Sequence, residues 1–228
     1  MMIGPETYYE FNIKGKTEEQ ILRKVKSLKS EIAKLKKAME HPEYAPTMYP
    51  TEGTRLWCTR EYLERTKQAL ADIGKPYIPN SVEKKVIDFD NNIKNISVIT
   101  FRIGGFFSPW TDYIVRIGDK LQFEVNNVIL LEVEKPIDTE YEKTEVEKFL
   151  SAFADLHIGE WRRHYDLTRY GYFVCDGTQW ELTIEYNNGR KPETYSGDNA
   201  YPYNFESFIE MMGADYSEYF GEEENEED

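Results

Sequence analysis

Hydrophobic positions along this chain change period near residue 95, and the change divides it into a helical part and a sheet part. Ile21, Val25, Leu28, Ile32, Leu35 and Met39 recur at spacings of four and three, one apolar stripe on a helix of about five turns. Thr17 with Gln20 fits a capping box before it, and His41-Pro42 ends it. After a loop rich in Pro and Tyr, Tyr62, Leu63, Thr66, Ala69, Leu70 and Ile73 mark the buried face of a second helix near 54–73, stopped by Gly74 and Pro76. Two long helices joined this way predict an antiparallel hairpin. The opening TYYEFNI at 7–13 reads as a short strand, and residues 80–93 as a short helix capped by Asn80 or Ser81.

From Ile99 the period becomes two. Ile99, Phe101 and Ile103 face one side while Thr100 and Arg102 face the other. Tyr113, Val115 and Ile117, then Leu121, Phe123 and Val125, continue a meander around Gly118-Asp119. VILLEV at 128–133 reads as another strand. Thr144–Ala154 reads as a helix with Val146, Phe149, Leu150 and Phe153 inward. Trp180, Leu182, Ile184 and Tyr186 then alternate with Glu181, Thr183 and Glu185, and Asn187-Asn188-Gly189 supplies a turn. A short amphipathic stretch with Phe205, Phe208 and Ile209 closes the pattern. The expected fold is α+β: a helical hairpin over 1–80, an antiparallel sheet of about five or six strands covered by short helices over 81–220, and a disordered acidic tail over 221–228.

Charge sharpens this division. Residues 1–95 hold 17 basic and 14 acidic side chains, and residues 96–228 hold 11 and 28, so the halves carry +3 and −17 of a total of −14. Such asymmetry points to electrostatic partnering, with a solubilising surface as the plain alternative. Between Ile21 and Met39, Arg23 and six lysines (24, 26, 29, 34, 36 and 37) stand against a single acid, Glu31. Without interleaved aromatics this reads as intramolecular docking against the acidic half, or as a homodimer formed through Ile21, Val25, Leu28, Ile32 and Leu35. Direct nucleic-acid binding is not expected. No run approaches the length of a membrane span and no secretory leader is evident, so a soluble cytoplasmic protein with Cys58 and Cys175 reduced is expected.

Candidate chemistry is sparse. Arg162, Arg163 and His164 follow Trp161 with acids close in sequence, an arrangement open to acid–base work. The plainer reading has Trp161 as a core anchor and the arginines pairing carboxylates. The Gly104–Trp110 loop carries Phe106, Phe107 and Trp110 and reads equally as a binding loop or a hydrophobic plug. Tyr195–Pro202 has the composition of a turn, with ligand binding by Asp198 and Asn199 as the alternative. His and Cys spacing gives no metal site, nothing calls for a cofactor, and no catalytic residue is assigned.

HIGEWRRHY, followed by DGTQWELTIEY, the turn at Gly189, GDNAYPYNF and the upstream IGGFF loop, resembles a recurrent module of uncharacterised bacterial proteins, chiefly from Gram-positive anaerobes. The likeness covers roughly residues 95–212. It implies bacterial origin and a shared fold, and it transfers no catalytic residue. The expectation is a non-enzymatic module that binds another protein. The alternative is an acidic mimic of nucleic acid, an anti-defence (anti-CRISPR-like) inhibitor. A hydrolase-like enzyme built around His164 comes third.

Overall fold

Gly4-Pro5 starts the chain on a helix. Pro5 stands in the first turn, where its missing N–H costs nothing, and the Tyr8 amide donates to the Gly4 carbonyl at 2.9 Å. The computed structural model describes residues 2–47, 49–105, 109–127, 139–140, 143–174 and 176–214. In it 5–12 form helix α1 (Pro5–Asn12), where the sequence pattern had pointed to a strand. Tertiary contact decides the outcome. Tyr8 stacks on Tyr62 with ring centroids 4.1 Å apart, Arg65 lies 3.7 Å over the Tyr9 ring, and Ile13 is buried just beyond the helix. Tyr9 and Ile13, one turn apart with Tyr8 adjacent, share a side as a helical period places them.

The chain divides into two compact units, Met1–Ser81 and Val82–Asp228. In the first, α2 (Glu18–Met39) has the capping box in full: the Gln20 amide donates to Thr17 Oγ1, and the Thr17 amide donates to Gln20 Oε1. Helix α3 (Glu52–Asp72) is capped by Thr51. The α2 stripe is covered inside this unit: Ile21, Val25 and Leu28 are buried and Ile32 partly buried in a cluster with Ile13, Leu63, Ala69 and Leu70, and Leu35 is buried separately. The sequence reading offers this stripe to a second chain. Ile13 at the end of α1, with Tyr8 and Tyr9 beside it, supplies the missing cover.

The second unit opens with α4 (Ser81–Asn92) and continues into a sheet of seven strands. Five carry the alternation: β1 (Ile96–Gly105), β2 (Thr111–Ile117), β3 (Leu121–Asn127), β6 (Thr178–Tyr186) and β7 (Glu193–Asp198). Two are very short, β4 (Thr139–Glu140) and β5 (His164–Asp166), and sit at the edges of the order β4-β3-β2-β1-β6-β7-β5. Pairing is antiparallel except between β5 and β7, which run parallel. Tyr195–Asp198, with the composition of a turn, is thus the end of a strand. VILLEV and the acidic tail lie outside the described residues.

Helices α5 (Lys143–Asp155) and α6 (Phe205–Met211) contribute Val146, Phe149, Phe153, Phe205, Phe208 and Ile209 to one buried cluster with Ile99, Phe101, Ile103, Val115, Leu182 and Ile184. Trp161 and Trp180 meet edge to face at its centre, 6.1 Å apart. Asn204 stands at the cap position of α6 but uses its side chain elsewhere: Oδ1 accepts from Trp161 Nε1 at 3.0 Å, and Nδ2 donates to the Leu156 carbonyl at 2.7 Å. Among the described residues no helix is long and apolar enough to cross a membrane.

Candidate functional site

With one set of alternating side chains in the core, the other set forms the second face of the sheet. Strand register fixes what meets there. His164 pairs with Ser196 and Asp166 with Asp198. Ser196 is opposite Glu181, Glu181 opposite Arg102, and Arg102 opposite Asp112. One row of polar and charged side chains therefore crosses five strands, from β5 to β2.

At the β5 end, His164 Nδ1 lies 2.9 Å from Ser196 Oγ. Its Nε2 faces Asp198 Oδ2 at 3.6 Å and Asp166 Oδ2 at 4.0 Å. The side chains of His164 and Asp198 are 50% and 49% exposed. Asp166 sits below the usual carboxylate range, held there first by the Thr168 hydroxyl and then by the Thr168 amide and His164. At the β2 end, Arg102 Nε donates to Asp112 Oδ1 at 2.8 Å, and its guanidinium lies 5.4 Å from the Trp110 ring. Gly104 allows this approach: a Cβ there would stand 2.9 Å from the Pro109 carbonyl oxygen and 3.0 Å from Trp110 Cα.

The candidate residues thus separate. Trp110, His164 and Asp198 belong to the open face. Phe106 and Phe107 lie outside the described residues. Arg162 stacks on the Tyr165 ring at 4.1 Å, and its amide donates to the Tyr165 hydroxyl. Asn199 has a positive φ of 53° and closes the start of β6: its Oδ1 accepts from the Thr178 amide at 2.8 Å, and its Nδ2 donates to the Asp176 carbonyl at 2.9 Å. Its role is structural.

Arg163 pairs a carboxylate, as the plainer reading expects, and joins a network around Glu193, a residue the pattern did not single out. Its guanidinium pairs with Glu193 Oε2 and donates to the Thr194 carbonyl at 3.2 Å. Glu193 Oε1 also accepts from Arg190 Nη2 at 2.6 Å and from the Tyr186 hydroxyl at 3.3 Å, and Arg190 reaches Asp88 of α4. Burial raises the pKa of Glu193, but the two guanidiniums more than offset it, and the carboxyl lies below its ordinary range. Burial also raises the Tyr186 and Tyr195 hydroxyls beside it.

Glu193→Gln is expected to cost about 1.5–3 kcal/mol at pH 7, since charge-assisted hydrogen bonds are lost. A depressed folded-state pKa means this stabilisation is present above the unfolded value near 4.3 and is lost as pH falls through the folded value. Urea denaturation at pH 7 and near pH 3 should therefore show the wild-type advantage shrinking with acid. An advantage that stayed constant would show that the network does not act through this carboxylate.

Ser196, His164 and Asp198 have the composition of a hydrolytic triad, but the nucleophile's surroundings do not. The Ser196 amide donates to the Arg163 carbonyl at 3.1 Å, so sheet pairing uses the donor that would steady an oxyanion, and the group lies open to water. Among the described residues no group of three or more His, Cys, Asp or Glu is placed to hold a metal ion. No family model matches the chain, and neither curated proteins nor solved structures give a match.

Proposed function

We propose that the chain is a bacterial, intracellular, non-enzymatic module that binds another protein through the open face of its sheet. The supporting observation is the row from Trp110 and Arg102 through Glu181 and Ser196 to His164, half-exposed and continuous across five strands. Five strands span about 19 Å, a flat breadth suited to a partner surface, whereas small molecules favour concave sites. On this face Asp112 is tied to Arg102 and Glu124 to Arg116, so arginines interrupt the carboxylates. A nucleic-acid mimic needs an unbroken acidic track, and this arrangement favours the ordinary module over the mimic.

The test is affinity capture from a bacterial lysate, identified by mass spectrometry, with the wild type and a Trp110→Ala, Glu181→Arg, His164→Ala variant of unchanged melting temperature. A partner held by the wild type and lost by the variant, stable to added salt, is the expected result. A partner kept by the variant would remove this face from the binding reading. Capture of a nucleic-acid-binding protein that dissociates with salt would restore the mimic. Ester hydrolysis lost in Ser196→Ala would restore the enzyme.

A further inference from the structure

The exposed side of α2 carries a second feature, independent of the sheet face. At 100° per residue, Arg23, Lys26, Ser30, Lys34 and Lys37 fall directly opposite the buried stripe, and all five are exposed. Ser27, Ala33 and Ala38 flank them, so the ridge has small residues beside its ammonium groups. Beyond the first turn the helix carries one acid, Glu31, and it is turned to Arg55 at 3.0 Å. Where the ridge ends, an open cleft of about 580 Å³ lies between Lys34, Lys37 and His41 on one side and Tyr44 and Ala45 on the other. Glu52 also lines it, but its carboxylate is already occupied. It accepts from the Thr47 amide at 3.1 Å, the Thr47 hydroxyl at 2.9 Å and the Tyr44 hydroxyl at 3.0 Å, and these donors push its pKa down to about 2. Glu43 stands in the lining as well.

We propose that this ridge, with the cleft at its end, is a docking site for a short carboxylate-rich peptide segment of a partner protein. Charge complementarity selects the occupant. From Lys26 to Lys37 is about 16 Å along the helix, the length of about five residues of extended chain. A segment that short samples the ridge within roughly one Debye length, about 8 Å, and is screened from most of the molecule's net charge of −14. A long nucleic acid would meet that charge over its whole length. Helix α2 also has no aromatic residue on which a base could stack, and its Lys-rich ridge has one guanidinium, Arg23, already paired with Glu19.

Fluorescence anisotropy of the full chain with a labelled peptide of about six glutamates tests the proposal. Binding at about 50 mM salt should weaken about tenfold at about 300 mM. Lys34→Glu with Lys37→Glu should weaken it at least about tenfold without moving the melting temperature, since both side chains are exposed. Lys84→Glu with Lys85→Glu, an equal change of charge on α4 of the other unit, should change it by about twofold or less. No peptide binding at low salt, equal losses in both double variants, or tighter binding of a single-stranded oligonucleotide than of the peptide would each overturn the proposal.

Discussion

Trp180→Ala is expected to destabilise the sheet unit by about 3–5 kcal/mol and to lower its melting temperature by roughly 10 °C. Trp180 is 1% exposed and touches aromatic rings on three elements: Trp161 after α5, Tyr165 of β5 at 5.9 Å and Phe205 of α6 at 4.9 Å. Removing the indole leaves a cavity between all of them. It also strands the Ala200 carbonyl, which accepts from Trp180 Nε1 at 2.9 Å in a buried position. Trp180→Phe separates the two effects, because it keeps most of the ring and loses the donor. Thermal melts followed by near-ultraviolet circular dichroism measure both. A melting temperature within about 2 °C of wild type for the alanine variant would mean the core is not centred here.

The second large effect lies in the hairpin. Leu28→Asp with Ile32→Asp puts one carboxylate at a position 9% exposed and another at a partly buried one, both inside the apolar cluster with Ile13, Leu63 and Leu70. An unpaired buried charge costs about 3–5 kcal/mol, so helical content should collapse in the first unit while Trp161 and Trp180 keep their near-ultraviolet signal. Light scattering reads the other route. A dimer that falls to monomer before helicity is lost would place part of the stripe between two chains. Unchanged melting and unchanged mass would make the stripe surface.

Much of this fold was legible because its signals are local. The α2 stripe, the Thr17–Gln20 box and the alternation from Trp180 to Tyr186 each sit within one element, and period alone separates helix from strand. Helix α1 was not legible, because aromatic-rich TYYEFNI has strand-like composition and only Tyr62 and Arg65, more than fifty residues away, settle it. Strands β4 and β5 are shorter than one full alternation. The outward residues of β1 and β6 could be named from sequence, Arg102 and Glu181 among them, but not who faces whom. Register is a property of paired strands, so the row ending at His164 emerged only with the sheet. Glu193 was hidden for the same reason: its partner Arg163 lies thirty residues away, and its nearer partner Arg190 is tied in turn to Asp88 of α4.

Gly197 lies opposite Trp180 in the β6–β7 ladder, and a Cβ there would sit 2.4 Å from the indole nitrogen and 2.6 Å from the Ala200 carbonyl oxygen. The second clash is with backbone, so shrinking the tryptophan relieves only half of it. The two positions are therefore bound to an order of change during descent: the indole must go first, the 199–200 turn must shift, and only then can 197 gain a side chain. Distant kin of this chain should accordingly keep the glycine wherever they keep the tryptophan, seventeen residues apart, even where the surface has diverged beyond recognition.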